Sequence, residues 1–158
     1  MKKFFVAFAV AIAFSFSANA QLYVGGSAGL SVVSGEGASS VSFAVAPEVG
    51  YSFNNSIAVG VALQFASPSS FYASPYFRYF FTKAGNFRFF ADATANLGTA
   101  NNAFLWAAGI NPGVSYNISN RWSVVTHLGT IGVQGAENST MFRLGILGAT
   151  TIGFYYHF

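Results

Sequence analysis

Beyond residue 20, apolar and polar residues alternate with a period of two along most of the chain, the signature of β-strands with two chemically different faces. The pattern predicts eight strands, over 21–32, 40–53, 56–66, 70–82, 86–97, 104–117, 121–132 and 142–158. In 40–53, Val41, Phe43, Val45, Pro47, Val49, Tyr51 and Phe53 share one parity, and Ser42, Ala44, Ala46, Glu48, Gly50 and Ser52 the other. In 56–66, Ile57, Val59, Val61, Leu63 and Phe65 oppose Ala58, Gly60, Ala62 and Gln64. In 86–97, Phe87, Phe89, Ala91, Ala93 and Ala95 oppose Arg88, Phe90, Asp92, Thr94 and Asn96. One face is greasy and the other is small or polar.

The connections alternate between two kinds. Asn54-Asn55, Lys83-Ala84-Gly85 and Ile118-Ser119-Asn120 read as tight turns, whereas 33–39, 67–69, 98–103 and 133–141 read as longer loops. At roughly 11 residues per strand, eight strands take about 88 of the 138 residues beyond position 20 (158 less 20). That leaves about 50 for seven connections, whereas ten strands would leave about 28 for nine, fewer than the visible loops already use.

Charge placement separates the possible all-β folds. Of nine charged residues beyond position 20, Glu36, Lys83, Arg121 and Glu137 sit in or beside connections. Glu48, Arg78, Arg88, Asp92 and Arg143 lie within strands, all on the small, polar face; random parity would do this about one time in thirty. A secreted β-sandwich or soluble barrel would show the reverse, an outer face rich in Lys, Glu, Asp and Thr. The expected fold is therefore all-β, an eight-stranded antiparallel up-and-down transmembrane β-barrel with charges in its lumen, short periplasmic turns and longer external loops. Outward parity also gathers aromatics at one rim: Tyr51, Phe53, Tyr79, Phe81, Tyr116, Tyr156 and Phe158, with Phe87 and Trp122 beside them. Phe43, Phe65, Phe71, Trp106 and Phe142 suit a second girdle at the other rim.

Composition sharpens this. Charged residues are 7% of the chain, against about 25% in soluble domains. Lys2 and Lys3, the apolar run Phe4–Phe14 and the small tripeptide Ala18-Asn19-Ala20 form the pattern of a secretory signal peptide cleaved after Ala20. That run falls short of the about 20 apolar residues a spanning helix needs. The domain reading is 1–20 signal peptide and 21–158 barrel. Beyond position 20, five Lys/Arg (seven less Lys2 and Lys3) face four Asp/Glu, a balance that supports no nucleic-acid partner. With no cysteine, disulfides and thiolate metal sites are excluded.

Two motifs carry a resemblance. Pro47-Glu-Val-Gly-Tyr51, Pro75-Tyr-Phe-Arg-Tyr79 and Pro112-Gly-Val-Ser-Tyr116 recur before the tight turns; a central-strand proline loses a ladder bond, so bulges or widely spaced sites are expected there. The segment Thr151-Ile-Gly153-Phe-Tyr-Tyr156-His-Phe158 has the form of an outer-membrane insertion signal, a polar residue, glycine two on, then alternating aromatics to Phe158. On these features residues 21–158 resemble the eight-stranded outer-membrane-protein β-barrel domain family, the group of OmpX and the OmpA N-terminal domain. The resemblance implies residence in the bacterial outer membrane with both mature termini periplasmic. It also implies contact with lipid and lipopolysaccharide, and recognition by periplasmic chaperones and the barrel-assembly machinery.

No catalytic constellation stands out. His127 and His157 both have inward parity. A lipid-A deacylase would carry histidine and serine on the lipid-facing side with an orienting acid, and the palmitoyl-transferring barrels an amphipathic helix that is not visible after Gln21. Neither a phosphate-cradling loop nor metal-ligand spacing occurs, so no cofactor is expected. The inward set Glu48, Gln64, Arg78, Arg88, Asp92, Asn111, His127 and Arg143 remains. Arg78, Arg88, Glu48 and Asp92 are expected to pair, bridged by Gln64, Asn96 and Asn111, as a structural polar plug in a monomeric, non-enzymatic barrel with a structural or surface-interaction role. A narrow ion path and a lipid-A-modifying enzyme are the competing readings.

Overall fold

The computed structural model describes residues 21–35, 38–66, 70–100, 103–136 and 139–158, with side chains except within 30–42, 100–103 and 136–150. Ala18, Ala20 and the Arg143 side chain lie outside the described residues. The strands are β1 Gln21–Gly35, β2 Ala38–Ser52, β3 Ile57–Ala66, β4 Ser70–Ala84, β5 Phe87–Ala100, β6 Ala103–Asn117, β7 Trp122–Ala136 and β8 Ser139–His157. Each pairs antiparallel with its neighbours in sequence, and β8 returns to β1 to close the barrel, from Tyr23–His157 to Gly29–Thr151. Closure gives every strand a hydrogen-bonded partner on both sides.

The strand count follows the alternation, but the ends do not. The expected long loops 33–39, 98–103 and 133–141 are mostly strand: β1 and β2 pair as far as Gly35–Ala38, β5 and β6 as far as Ala100–Ala103, and β7 and β8 as far as Ala136–Ser139. Small and polar residues there lose the apolar alternation while their backbone groups still find ladder partners, so composition understated the strands. Likewise β4 continues through Lys83 and Ala84, and the turn falls at Gly85-Asn86 with φ +60° at Gly85, a left-handed conformation that glycine adopts without steric cost. The other two turns use side chains as acceptors. Asn54 Oδ1 accepts from the N–H of Ser56 (2.7 Å) and of Ile57 (2.9 Å), and Ser119 Oγ from Arg121 (3.2 Å) and Trp122 (3.1 Å).

The three recurrent prolines have a common placement. Pro47, Pro75 and Pro112 each pair with the preceding strand, at Gly26, Val61 and Ala91. Toward the following strand each falls in a gap in the ladder, between Val45 and Glu48, Ala73 and Tyr76, and Ile110 and Gly113. The missing N–H thus coincides with a missing ladder position. Only the gap at Pro112 also shifts the register.

The two faces separate as parity predicts. Among the described residues, twenty-five large apolar or aromatic side chains are exposed on the outer wall and turns, from Leu22 to Phe158. Aromatics at the turn end meet edge-on or tilted: Phe87–Tyr116 at 4.8 Å, Tyr156–Phe158 at 5.0 Å and Trp122–Tyr156 at 5.1 Å. Tyr51 departs from expectation, outward by parity yet only 9% exposed, with its ring 5.1 Å from that of Phe53. Inside, the small residues leave room for rings. Tyr23, Tyr76, Phe90, Tyr155, Ala58 and Val125 form the buried core, with Phe80 against it. Glycine opposite each ring makes the space: Tyr23 faces Gly50, Tyr76 faces Gly60, Phe90 faces Gly113, and Tyr155 faces Gly25. A Cβ added at any of these glycines would collide with the ring opposite.

Candidate functional site

Inward parity puts Glu48 on β2, Tyr76 and Arg78 on β4, Asp92 on β5, His127 on β7 and Tyr155 on β8 into one narrow lumen, where they meet. Arg78 binds Asp92 through two bonds, Nε to Oδ1 at 2.7 Å and Nη2 to Oδ2 at 2.8 Å, and reaches Glu48 at 3.8 Å. The paired donors of the guanidinium fit the two carboxylate oxygens, the strongest form of such a pair. Three rings surround the cation, with centroids 4.3 Å (Phe90), 5.0 Å (Tyr76) and 5.9 Å (Tyr155) from Cζ. Arg78 is 3% exposed, Asp92 2% and Glu48 8%.

One guanidinium thus faces two carboxylates, and tyrosine hydroxyls and an imidazole complete the network. Tyr76 donates its hydroxyl to Glu48 Oε1 (2.5 Å) and Tyr155 to Oε2 (2.8 Å), while the Tyr23 and Tyr76 hydroxyls lie 2.5 Å apart. His127 Nε2 lies 2.9 Å from Asp92 Oδ2, and its Nδ1 3.2 Å from Thr151 Oγ1. Hydrogen bonds to a charged group stabilise by about 1.5–3 kcal/mol each, which offsets the desolvation of the extra carboxylate. Hydroxyl, imidazole and carboxylate in line also describe a nucleophile relay. Here the carboxylate is engaged first by Arg78, and Thr151 lines neither of the two cavities at the turn end.

The expected pairing needs two corrections. Arg88 joins no described acid: it donates from Nη2 to the Asn55 carbonyl, and its guanidinium lies over Phe80 at 3.7 Å. Asp92 stands four residues further along β5, about 13 Å at strand rise, and is already held by Arg78 and His127. Nor do the amides bridge the charges. Asn111 donates to Thr94 Oγ1 at 3.2 Å with its Oδ1 buried and unpartnered, and Gln64 and Asn96 are half-buried without a side-chain hydrogen bond to a described residue. The Glu48 carboxylate is held instead by Tyr76 and Tyr155, with Tyr23 bonded behind Tyr76, partners that sequence reading missed. Their signal was an aromatic of inward parity opposite an inward glycine, visible only once the register is known.

The segment expected as an assembly signal forms the closing strand. Thr151 pairs with Gly29, Gly153 with Ser27 beside the Tyr155 ring, and the Phe158 N–H donates to the Leu22 carbonyl at 3.0 Å. Tyr156 accepts from Arg121 Nη1 at 3.3 Å. His157 Nε2 lies 2.9 Å from Ser123 Oγ.

No family model matches the chain, and no curated protein does. Solved structures do: the crystal structure of Neisserial surface protein A (NspA) superposes with a TM-score of 0.64 at 16% identity, over 89% of this chain and 99% of that one. The fold is that of the transmembrane β-barrels. A structure from the de novo design of transmembrane β-barrels gives 0.57 at 14% identity, over 87% and 95%. The solution structure of the designed TMB2.3 gives 0.57 at 15%, over 86% and 92%.

Proposed function

We propose that this chain is an integral outer-membrane β-barrel, non-enzymatic, with a lumen closed by the Glu48–Arg78–Asp92 network and a structural or surface-interaction role. The observation that carries it is the inverted polarity of the wall: Glu48, Arg78, Asp92 and Arg88 face inward, while among the described residues the exposed large apolar or aromatic side chains, twenty-five with those of the turns, lie on the outer wall. Soluble monomers rarely expose a contiguous apolar patch beyond about 300–600 Å². Covering these half-exposed side chains with acyl chains is worth on the order of 25 kcal/mol at about 1 kcal/mol each, more than the about 5–15 kcal/mol that holds a typical domain folded. Water is therefore the wrong solvent for this wall.

On this reading residues 1–20 are a signal peptide cleaved after Ala20, and both ends of the barrel lie on the periplasmic side. The monomer contacts lipid and lipopolysaccharide, and chaperones and the barrel-assembly machinery read β8 through Thr151, Gly153, Tyr156 and Phe158. The OmpX and OmpA-domain group is the family whose motifs it shares. The test is quenching of Trp106 and Trp122 fluorescence by lipids brominated at successive acyl depths. Strong, depth-dependent quenching of refolded protein is expected, and retention of the native protein in carbonate-washed membranes. Unquenched tryptophans in a protein recovered from the supernatant would overturn the proposal.

A further inference from the structure

Below the Arg78 network the barrel holds a cavity of about 160 Å³ that opens at the turn end into a vestibule of about 940 Å³. Gln21, Asn55, Phe80, Arg88 and His157 line both, so the two form one passage. A cavity near 150 Å³ takes up a molecule the size of benzene, so the inner space admits a small polyatomic ion. Its polar lining includes Arg88, Ser115, Ser123 and His157, with Arg78 of the network also bordering it and Lys83 in the vestibule wall. Among the described residues no carboxylate side chain lines either space, with Glu48 and Asp92 in the network above.

Arg88 is the anomaly in this lining. It is half-buried, and among the described residues it forms no ion pair; its hydrogen bond is to one backbone carbonyl. A guanidinium carries five N–H donors, so most of its fork is unclaimed by described protein groups. Phe80 lies against its face at 3.7 Å, which fixes the plane without neutralising the charge. Ser115 is the direct cross-strand partner of Arg88, and the Ser123 hydroxyl and His157 imidazole stand together at 2.9 Å. A preset planar cation, two hydroxyls and an imidazole around an acid-free cavity are the donor set that phosphate oxygens accept from.

We infer that this mouth of the barrel is a phosphate-group binding site, with Arg88 as the fork, Ser115, Ser123 and His157 as hydroxyl and imidazole partners, and Lys83 drawing the anion into the vestibule. The phosphate belongs either to a free ion or to a lipid headgroup. The inference requires the closed barrel and not its location, so it stands or falls apart from the functional reading above.

The test is calorimetric titration of the barrel, folded in a phosphate-free detergent, with inorganic phosphate and separately with dihexanoylphosphatidic acid. Saturable binding of inorganic phosphate assigns the free ion, and binding of the lipid alone assigns the headgroup. Arg88→Gln is expected to weaken binding about tenfold or more, and Lys83→Gln to weaken it less and only at low salt. Folding of each variant is checked by heat-modifiable gel mobility. Should Arg88→Gln fail to fold, Arg88→Lys, which keeps the charge and loses the fork, takes its place and is expected to weaken binding as well. Absence of saturable binding of both probes, or a folded Arg88 variant that binds like the unaltered protein, overturns the inference.

Discussion

Replacing Arg78 by alanine tests the lumen network most directly. The substitution strands Asp92, 2% exposed, with only His127, and leaves Glu48, 8% exposed, to Tyr76 and Tyr155. Removing one partner of a buried ion pair costs about 3–5 kcal/mol, and loss of the stack on Phe90 at 4.3 Å falls within the same range. Arg88→Ala is the internal control: no carboxylate is stranded, and the lost carbonyl bond and Phe80 stack amount to about 1–2 kcal/mol. Equilibrium urea unfolding of the barrel in detergent or vesicles, read by the fluorescence of Trp106 and Trp122, measures both. Asp92→Asn in the Arg78→Ala background is expected to recover part of the loss, because the stranded charge is then gone. An Arg78→Ala loss below about 1 kcal/mol, or one equal to that of Arg88→Ala, would refute the reasoning. Planar-bilayer recordings of the same proteins address the plug itself: the unaltered barrel is expected to show no large steady opening, and the Arg78→Ala, Arg88→Ala double variant a raised conductance. A large steady pore in the unaltered protein would refute the plug.

Tyr76→Phe removes the hydroxyl that donates to Glu48 Oε1 while keeping the ring, so a loss of about 1.5–3 kcal/mol is expected in the same unfolding assay; an unchanged midpoint would count against the tyrosine bridge. Gly60→Ala forces a Cβ against the Tyr76 hydroxyl and within 2.7 Å of the Val49 carbonyl, and overpacking of this kind costs about 1–3 kcal/mol. A neutral or stabilising Gly60→Ala would show that the ring does not need its glycine slot. Phe77, 45% exposed on the outer wall opposite Val59, is expected to lose about 2–4 kcal/mol on replacement by Arg in bilayers, whereas a tolerated arginine would argue that water covers this wall.

Alternation by itself determined the eight strands, their antiparallel order and the side that Glu48, Arg78, Arg88 and Asp92 take. Side chains on a strand change face at every residue, so the inward parity of Glu48, Arg78 and Asp92 needed no knowledge of their neighbours. Residue type also marked Asn54 and Ser119 as turn formers, because their side chains accept from the backbone a few residues on. The strand ends escaped the sequence, since ladder bonds run through Gly, Ser and Ala where the apolar signal fades. Partnership inside the barrel escaped it too. Tyr155 meets Glu48 across 107 positions of sequence only because β8 closes on β1, and Arg88 misses the acids only because of its level in β5. Cross-strand register decides which ring faces which glycine, as at Tyr23–Gly50 and Gly60–Tyr76. Parity is a local property of the backbone, whereas register and closure belong to the assembled sheet; so the polarity of the lumen is written in the chain, and the chemistry within it is decided by the barrel.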